Sequence, residues 1–351
     1  MTPYWLLFAI WAIGAVQFAR RAERPQSNII FVFAVVFTAS MIGLRFEVGG
    51  DWLPYNGIYE QISLQPLWEA LSLSDPAYAL FNWISGRLEW GIWLPNIVCG
   101  SVFMAGLAKL ANRQPNPWLT VLIAVPYLII VVAMGYTRQA AAIGVVCWAL
   151  ADARPDRLLR LTLTIFIAAL FHKTAILILP ILLIPVFRRN ALFGIIGSGL
   201  FGVLFVYVLM SSSEKFITVY ANSNYDSQGA AIRVAMNVVP AVLFLLFNKR
   251  MDFSPFLRSY WMSNSWLALL SVPALLSISA SSGVDRMSLF LIPLQVVIYG
   301  QLPYTLSRSK VVSSPVLLWV IGYSFAVQYV WLNYAVNAEA WIPYLTQFAS
   351  S

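Results

Sequence analysis

Hydrophobic residues occur along this chain in long runs that are separated by short polar segments. Twelve apolar runs are present, near residues 4–19, 28–44, 92–108, 118–134, 137–151, 161–171, 174–187, 191–210, 233–247, 261–279, 287–303 and 314–332. A helix needs about 20 apolar residues to cross a 30 Å hydrocarbon core, and several runs are shorter than that. Lipid offers the backbone no hydrogen-bond partner, and the alternation of a membrane barrel is absent. The pattern predicts an all-α polytopic membrane protein, with residues 1–351 forming one integral domain of about twelve transmembrane helices.

The composition supports this class and excludes others. Hydrophobic residues make up 60% of the chain and charged residues 10%, whereas soluble domains are about 45 to 50% apolar and about 25% charged. The formal net charge of +8 does not indicate nucleic-acid binding, because the basic residues are scattered between apolar runs. Cys99 and Cys147 both lie inside apolar runs, so neither a disulfide nor a metal site is expected. With a single histidine and no phosphate-binding loop, we predict no metal and no cofactor.

The basic residues divide between alternate loops. Fifteen of the 22 Lys and Arg residues fall in one set of short loops: Arg20, Arg21, Arg24, Lys109, Arg113, Arg154, Arg157, Arg160, Arg188, Arg189, Lys249, Arg250, Arg258, Arg308 and Lys310. By the positive-inside rule, these loops are cytoplasmic. Both chain termini are then predicted on the outer side of the membrane.

Three longer segments are predicted on the outer side. Residues 45–90 contain aromatic and Pro-rich stretches typical of interfacial or re-entrant helices. Residues 211–232 form a polar loop that contains Tyr220 and Tyr225, and residues 333–351 form the C-terminal tail.

Cationic groups at the outer ends of apolar runs are the main candidates for chemistry. His172 and Lys173 divide the apolar stretch from 161 to 187. A charge in a membrane costs about 2.5 to 3.5 kcal/mol at the bilayer centre, so such a group usually faces a cavity. Each has a structural explanation when taken singly, such as snorkelling to the headgroups, a satisfied histidine, or an ion pair with a nearby aspartate. Their convergence on one side nevertheless indicates an anionic ligand, and a polyprenyl diphosphate fits the charge, the depth and the apolar surroundings. The convergent residues are Arg45, Arg138, His172, Lys173, Arg233 and Arg286.

Short motifs, spread in a fixed order over most of the chain, carry a family resemblance. They are Gly43-Leu44-Arg45, Gly49-Gly50-Asp51-Trp52 with Tyr55, Arg138-Gln139-Ala140, His172-Lys173-Thr174-Ala175, the segment 220–233, Arg286-Met287-Ser288-Leu289-Phe290 and Trp341-Ile342-Pro343-Tyr344. In these motifs the sequence resembles the EpsG family, Wzy-like membrane proteins of bacterial exopolysaccharide and O-antigen assembly. The resemblance implies a GT-C-like, metal-independent polymerase of the bacterial inner membrane. It would join undecaprenyl-diphosphate-linked oligosaccharides, both donor and acceptor, on the periplasmic face, and a chain-length regulator and a flippase are the expected partners.

The resemblance and the charge pattern together suggest roles for individual residues. His172 is the first candidate for the base that accepts the proton of the acceptor hydroxyl, and Asp51 is the second. Arg45, Arg138, Arg233 and Arg286 are assigned to diphosphate recognition, with Lys173 as supporting charge. Tyr220, Tyr225 and Tyr344 are assigned to sugar stacking.

Two other classes of function stay open at this point. A flippase for lipid-linked oligosaccharides would need a charged cavity but no base, and alternating access should place functional charges toward both sides of the membrane. A membrane acyltransferase could use His172 to modify a glycan, but it leaves the repeated arginines without a role.

Overall fold

The computed structural model describes residues 1–19, 29–187, 197, 199, 202–203, 230–277, 288–307, 312–346 and 348. Helices account for 83% of these residues, which confirms the all-α prediction. The chain divides into two compact units. The first comprises Met1–Ala151, Ile167–His172 and Tyr299–Ser351, and the second comprises Asp152–Phe166 and Lys173–Ile298.

The first unit contains most of the N-terminal helices. They are α1 (Thr2–Gln17), α2 (Ile29–Gly43), α3 (Trp52–Ser63), α4 (Leu67–Leu73), α5 (Pro76–Leu88), α6 (Trp93–Ala111), α7 (Pro117–Ala124), a π-helix (Val125–Ala133) and α8 (Thr137–Ala151). A short strand, β1 (Arg45–Phe46), follows α2 and pairs antiparallel with β2 (Leu345–Thr346) near the C-terminus. Helix α14 (Ser314–Tyr334) and a 3-10 helix (Val336–Trp341) complete this unit.

The second unit begins with a 3-10 helix (Pro155–Arg157) and α9 (Leu158–Phe171), whose last turn belongs to the first unit. It continues with a 3-10 helix (Lys173–Leu177), α10 (Ile178–Phe187), α11 (Ala230–Phe247), α12 (Pro255–Ser277), a 3-10 helix (Leu289–Leu291) and the first half of α13 (Ile292–Thr305), whose second half belongs to the first unit. Helix α12 packs against both α10 and α11.

The apolar runs in the described part of the chain coincide with helices. Helices α6 and α14 are long and apolar enough to cross a membrane, and several of the others are shorter apolar helices. Most of the predicted run 191–210 and most of the predicted loop 211–232 lie outside the described residues, and the number of crossings stays a prediction.

Close backbone approach joins α6 to α8. A Cβ atom built at Gly106 would lie 1.8 Å from the carbonyl oxygen of Gly144, and one built at Gly144 would lie 2.4 Å from Cα of Phe103. Small residues of this kind are common at membrane helix interfaces, because they let two backbones approach closely and pack. Helix α8, whose first turn carries Thr137 and Arg138, is therefore held tightly against α6.

The outer segment predicted at residues 45–90 forms three helices. Prolines stand at or beside the beginnings of α4 and α5, where the fixed φ of proline suits the first helical turn. The three helices pack around a small buried cluster of Ile62, Ala70 and Ala79. Helix α5 has 13 residues, about 20 Å at 1.5 Å per residue, which is shorter than the hydrocarbon core.

The C-terminal tail packs into the turn that follows β1. Trp341 is buried, and its indole N–H donates to the carbonyl of Ile130 at 2.7 Å. The backbone N–H of Gly49 donates to the carbonyl of Ala340 at 2.8 Å, with Gly49 at a φ of +109° that an L side chain rarely adopts. The tail thus fixes the connection between β1 and α3.

Candidate active site

Asp75 lies at the centre of the charged cluster in the first unit. It is the N-cap residue of α5, and Pro76 follows it at the first helical position. An N-cap aspartate usually accepts a hydrogen bond from its own helix, but this carboxylate makes no such bond. The Asp75 side chain is 8% exposed and turns instead toward Arg138. The N-terminus of α5 still favours the negative charge at this position.

Arg138 pairs with this carboxylate from the first turn of α8. Its Nη1 lies 2.9 Å from Oδ2 of Asp75 and also donates to Oγ of Ser74 at 3.1 Å. The Arg138 side chain is 28% exposed, so it keeps access to solvent. Nε of Arg138 has no hydrogen-bond partner within the described part of the chain. The guanidinium is therefore anchored through Nη1, and its unpaired Nε is buried and does not face solvent.

His172 approaches the same carboxylate oxygen from the end of α9. Its Nδ1 lies 3.5 Å from Oδ2 of Asp75, and its side chain is 17% exposed. The preceding residue, Phe171, is buried and stacks on Phe81 of α5 with ring centroids 6.3 Å apart. This stacking holds the end of α9 against the helix that begins at Asp75.

Two tyrosines enclose the guanidinium of Arg138. Its Cζ lies 5.6 Å from the ring centroid of Tyr55 and 5.8 Å from that of Tyr78, within the range of cation–π attraction. Burial raises the pKa of both phenols, and the charge of Arg138 acts in the opposite direction. Both phenols are therefore neutral near pH 7, and the aromatic walls reduce the dielectric around the Arg138–Asp75 pair.

Arg45 lies in a separate, enclosed network of the same unit. It is 1% exposed; Nε donates to the carbonyl of Val48 at 3.1 Å, and Nη1 donates to the carbonyl of Ile42. Nη2 donates to Oγ1 of Thr137 at 2.7 Å and lies 3.5 Å from Oδ1 of Asn96. These four acceptors are uncharged. The structure thus places Arg45 beside the first residue of α8, at position 137, and not on the open surface.

Two further predicted site residues lie in the first unit. Asp51 is the half-buried N-cap residue of α3 and interacts electrostatically with Tyr55. Tyr344 donates its hydroxyl to the carbonyl of Met41 at 2.8 Å and packs edge-on against Tyr4 with centroids 5.5 Å apart. Burial raises the pKa of Tyr344 to about 12, against the opposing charge of Arg45, so this phenol remains a hydrogen-bond donor at neutral pH.

The remaining predicted residues belong to the second unit or are not described. Lys173 is exposed at the beginning of its 3-10 helix, and Arg233 is half-buried in the first turn of α11. Arg286, Tyr220 and Tyr225 lie outside the described residues. The structure thus brings Arg138 and His172 together, and the proposal that all the cations share one site stays a prediction.

Sequence reasoning did not select Asp75, Tyr55 or Tyr78 as site residues. The segments predicted on the outer side contain ten acidic residues, and nothing in the spacing of Asp75 distinguishes it from the rest. These residues are Glu47, Asp51, Glu60, Glu69, Asp75, Glu89, Glu214, Asp226, Asp285 and Glu339. A signal was present in Ser74-Asp75-Pro76, which is typical of a helix N-terminus, followed by an aromatic residue on the third helical position. Its contacts with α8 and α9 depend on packing between distant segments.

The first unit therefore presents an arginine, a carboxylate and an imidazole in contact near the ends of packed apolar helices, in an all-helical membrane protein. The family model described as "EpsG family" matches residues 28–346. The chain belongs to the EpsG family, which is associated with polysaccharide biosynthesis at membranes and with glycosyltransferase-like polymerase activity. No curated protein and no solved structure matched the chain.

Proposed function

We propose that this EpsG-family chain is a polysaccharide polymerase of the bacterial inner membrane. In the reaction, the growing glycan leaves its undecaprenyl diphosphate and is transferred to a hydroxyl of another lipid-linked repeat unit on the periplasmic face. The bond between the anomeric carbon and the diphosphate oxygen breaks, and a bond from the acceptor oxygen to that carbon forms. The acceptor proton passes to a base, and the negative charge remains on the leaving diphosphate, so no metal is needed to balance the step.

The contact of Asp75 with both Arg138 and His172 carries this proposal. One carboxylate oxygen lies 2.9 Å from the guanidinium and 3.5 Å from the imidazole. An anion-binding group and a proton-accepting group are thereby held a few ångströms apart, as a transfer from a diphosphate requires. A flippase would need the cation but would have no use for an imidazole oriented by a carboxylate.

Arg138 is the proposed ligand of the diphosphate. A guanidinium binds two phosphate oxygens through parallel N–H groups, which a lysine ammonium cannot do. As the leaving group gains charge in the transition state, its attraction to Arg138 increases, and this difference lowers the barrier. Loss of one preorganised donor of this kind costs about 10² to 10³ in turnover.

His172 is the proposed base, with Asp75 as its orienting partner. A tautomer with hydrogen on Nδ1, pointing to Asp75, leaves the lone pair on Nε2 to accept the proton of the acceptor hydroxyl. The negative carboxylate also stabilises the imidazolium formed by that transfer. The separation of 3.5 Å is long for a hydrogen bond, and such contacts commonly shorten when substrate binds. The second candidate base, Asp51, is retained for the same role if His172 is dispensable.

Reconstituted protein tests the proposal. Purified wild type in liposomes is supplied with an undecaprenyl-diphosphate-linked repeat unit, and the glycan ladder and the released undecaprenyl diphosphate are measured. Arg138→Ala and His172→Ala are compared with Arg87→Ala, an arginine of α5 that stacks on Trp83 at 5.1 Å. We expect loss of the ladder in the first two variants and wild-type polymerisation in the control.

Two results would contradict the proposal. If folded wild-type protein moves the lipid across the bilayer without making a ladder, the protein is a flippase and not a polymerase. If Arg138→Ala forms polymer at the wild-type rate, this cluster takes no part in the reaction.

A further inference from the structure

We propose that Arg45 is a positioning residue that acts on the diphosphate site through Thr137, instead of contacting the diphosphate itself. The inference rests on the proposed function, because it concerns how Arg138 is held for catalysis. Arg45 was expected to be a ligand from its place at the end of an apolar run. Its burial and its partners favour the indirect role.

The geometry connects three helices at one point. The guanidinium of Arg45 donates hydrogen bonds to the carbonyl of Ile42, at the end of α2, and to the carbonyl of Val48, in the turn after β1. Its Nη2 reaches Oγ1 of Thr137, which in turn lies 3.5 Å from Oδ1 of Asn96 in the first turn of α6. Thr137 and Asn96 are both buried. Arg45 therefore fixes where α8 begins relative to α2 and α6.

A fork of donors is needed for this connection. The four acceptors of Arg45 belong to four different residues, and a planar guanidinium reaches them with three nitrogen atoms in fixed directions. A lysine ammonium has no fixed fork. A charge that is fully desolvated is costly unless its environment satisfies it, and the four acceptors of Arg45 supply that environment.

Thr137 passes this constraint to the diphosphate site because Arg138 is the next residue. Helix α3 covers both cations. The Cζ of Arg45 lies 5.9 Å from the ring centroid of Trp52, and that of Arg138 lies 5.6 Å from Tyr55, one turn further along the same helix. Rotation of the first turn of α8 would break the bond to Thr137 and move Arg138 away from Tyr55 and Asp75 together. The hydroxyl of Thr137 is thus the link between the buried Arg45 and the partly exposed Arg138.

The test removes that hydroxyl without creating a cavity. Thr137→Val lacks the hydroxyl at nearly the same volume, and Thr137→Ser keeps it. Thr164→Val is the matched control, since Oγ1 of Thr164 donates to the carbonyl of Arg160 within its own helix α9. The rate of polymer formation is measured in liposomes over a range of lipid-linked substrate. Because hydrogen bonds to charged groups are among the stronger ones, we expect kcat/KM to fall about tenfold in Thr137→Val, with most of the loss restored by Thr137→Ser and none in the control.

A double-mutant cycle separates positioning from general stability. Thr137→Val is introduced into wild type and into Arg138→Lys, which has a charge but no fork. If Thr137 acts through the guanidinium of Arg138, the tenfold loss in wild type shrinks to about twofold or less in the lysine background. Equal losses in both backgrounds, or no loss in wild type, would overturn the positioning role. A normal rate in Arg138→Lys and in Arg138→Ala would instead refute the proposed site, so the two failures are distinguishable.

Discussion

Replacement of Asp75 by Asn should separate turnover from ligand affinity. The substitution keeps the shape of the side chain and one carbonyl oxygen but removes the negative charge between Arg138 and His172. Two unit charges about 4 Å apart attract by about 4 kcal/mol at an effective dielectric constant of 20. Most of this is offset by desolvation, and loss of a charge-assisted hydrogen bond costs about 1.5 to 3 kcal/mol. Because Arg138 is 28% exposed, we expect Asp75→Asn to lower the free energy of unfolding by an amount in the lower part of that range.

Asp75→Asn should lower turnover without weakening the binding of the lipid diphosphate. An imidazole without its carboxylate loses its preferred tautomer and the stabilisation of its charged form, so kcat should fall about 10- to 100-fold, part of the contribution of a general base. Without Asp75 as a competitor, Arg138 is more available to the diphosphate, so KM and the inhibition constant for free undecaprenyl diphosphate should not rise. Glu69→Gln, which changes an exposed acid of α4, is the matched control.

Steady-state kinetics in liposomes measure both quantities, and a thermal unfolding midpoint in detergent monitors the fold. A variant with unchanged kcat would refute the orienting role of Asp75. A variant with unchanged kcat and weaker binding of the lipid diphosphate would indicate that Asp75 contacts the substrate itself.

Three further predictions concern packing and the fork of Arg138. Gly135→Ala places a Cβ 2.6 Å from the buried ring of Trp341 and should destabilise the fold by about 1 to 3 kcal/mol. The control is Gly57→Ala, whose Cβ would have no atom within 4 Å and which should be neutral or slightly stabilising. Thermal unfolding in detergent compares the two variants. Gly144→Ala forces α6 and α8 apart because the new Cβ meets backbone atoms of Phe103 at 2.4 Å, and its loss of stability should exceed that of Gly135→Ala, where a side chain can shift. Arg138→Lys should lower kcat/KM at least tenfold, since the charge remains and the bidentate contact is lost; an unchanged value would show that charge alone suffices.

The helices were predictable from the sequence because apolar runs in a membrane have one stable backbone conformation. The runs near 137–151 and 314–332 coincide with α8 and α14 to within a few residues. Arg138 and His172 stood out for a similar reason, since polar groups at the ends of apolar helices are rare and costly.

The contacts of the site were not predictable because they depend on which helix ends meet. Arg45 and Arg138 have the same residue type and similar sequence surroundings, yet one is enclosed by carbonyls and Thr137 while the other faces Asp75. The turn after β1 depends on a similarly distant contact, since the N–H of Gly49 donates to the carbonyl of Ala340, almost 300 residues away in the chain. Hydrophobic periodicity contains no information about such a pairing.

Photo-crosslinking of a substrate analogue tests the central claim most directly. An undecaprenyl diphosphate with a photoreactive group beside the diphosphate is bound to the reconstituted protein, and crosslinked peptides are mapped by mass spectrometry. The account predicts labelling of the segments that contain Asp75, Arg138 and His172, reduced in Arg138→Ala and competed by unlabelled lipid diphosphate. Specific labelling confined to the basic loops, such as the one containing Arg154 and Arg157, with none near Arg138, would contradict it.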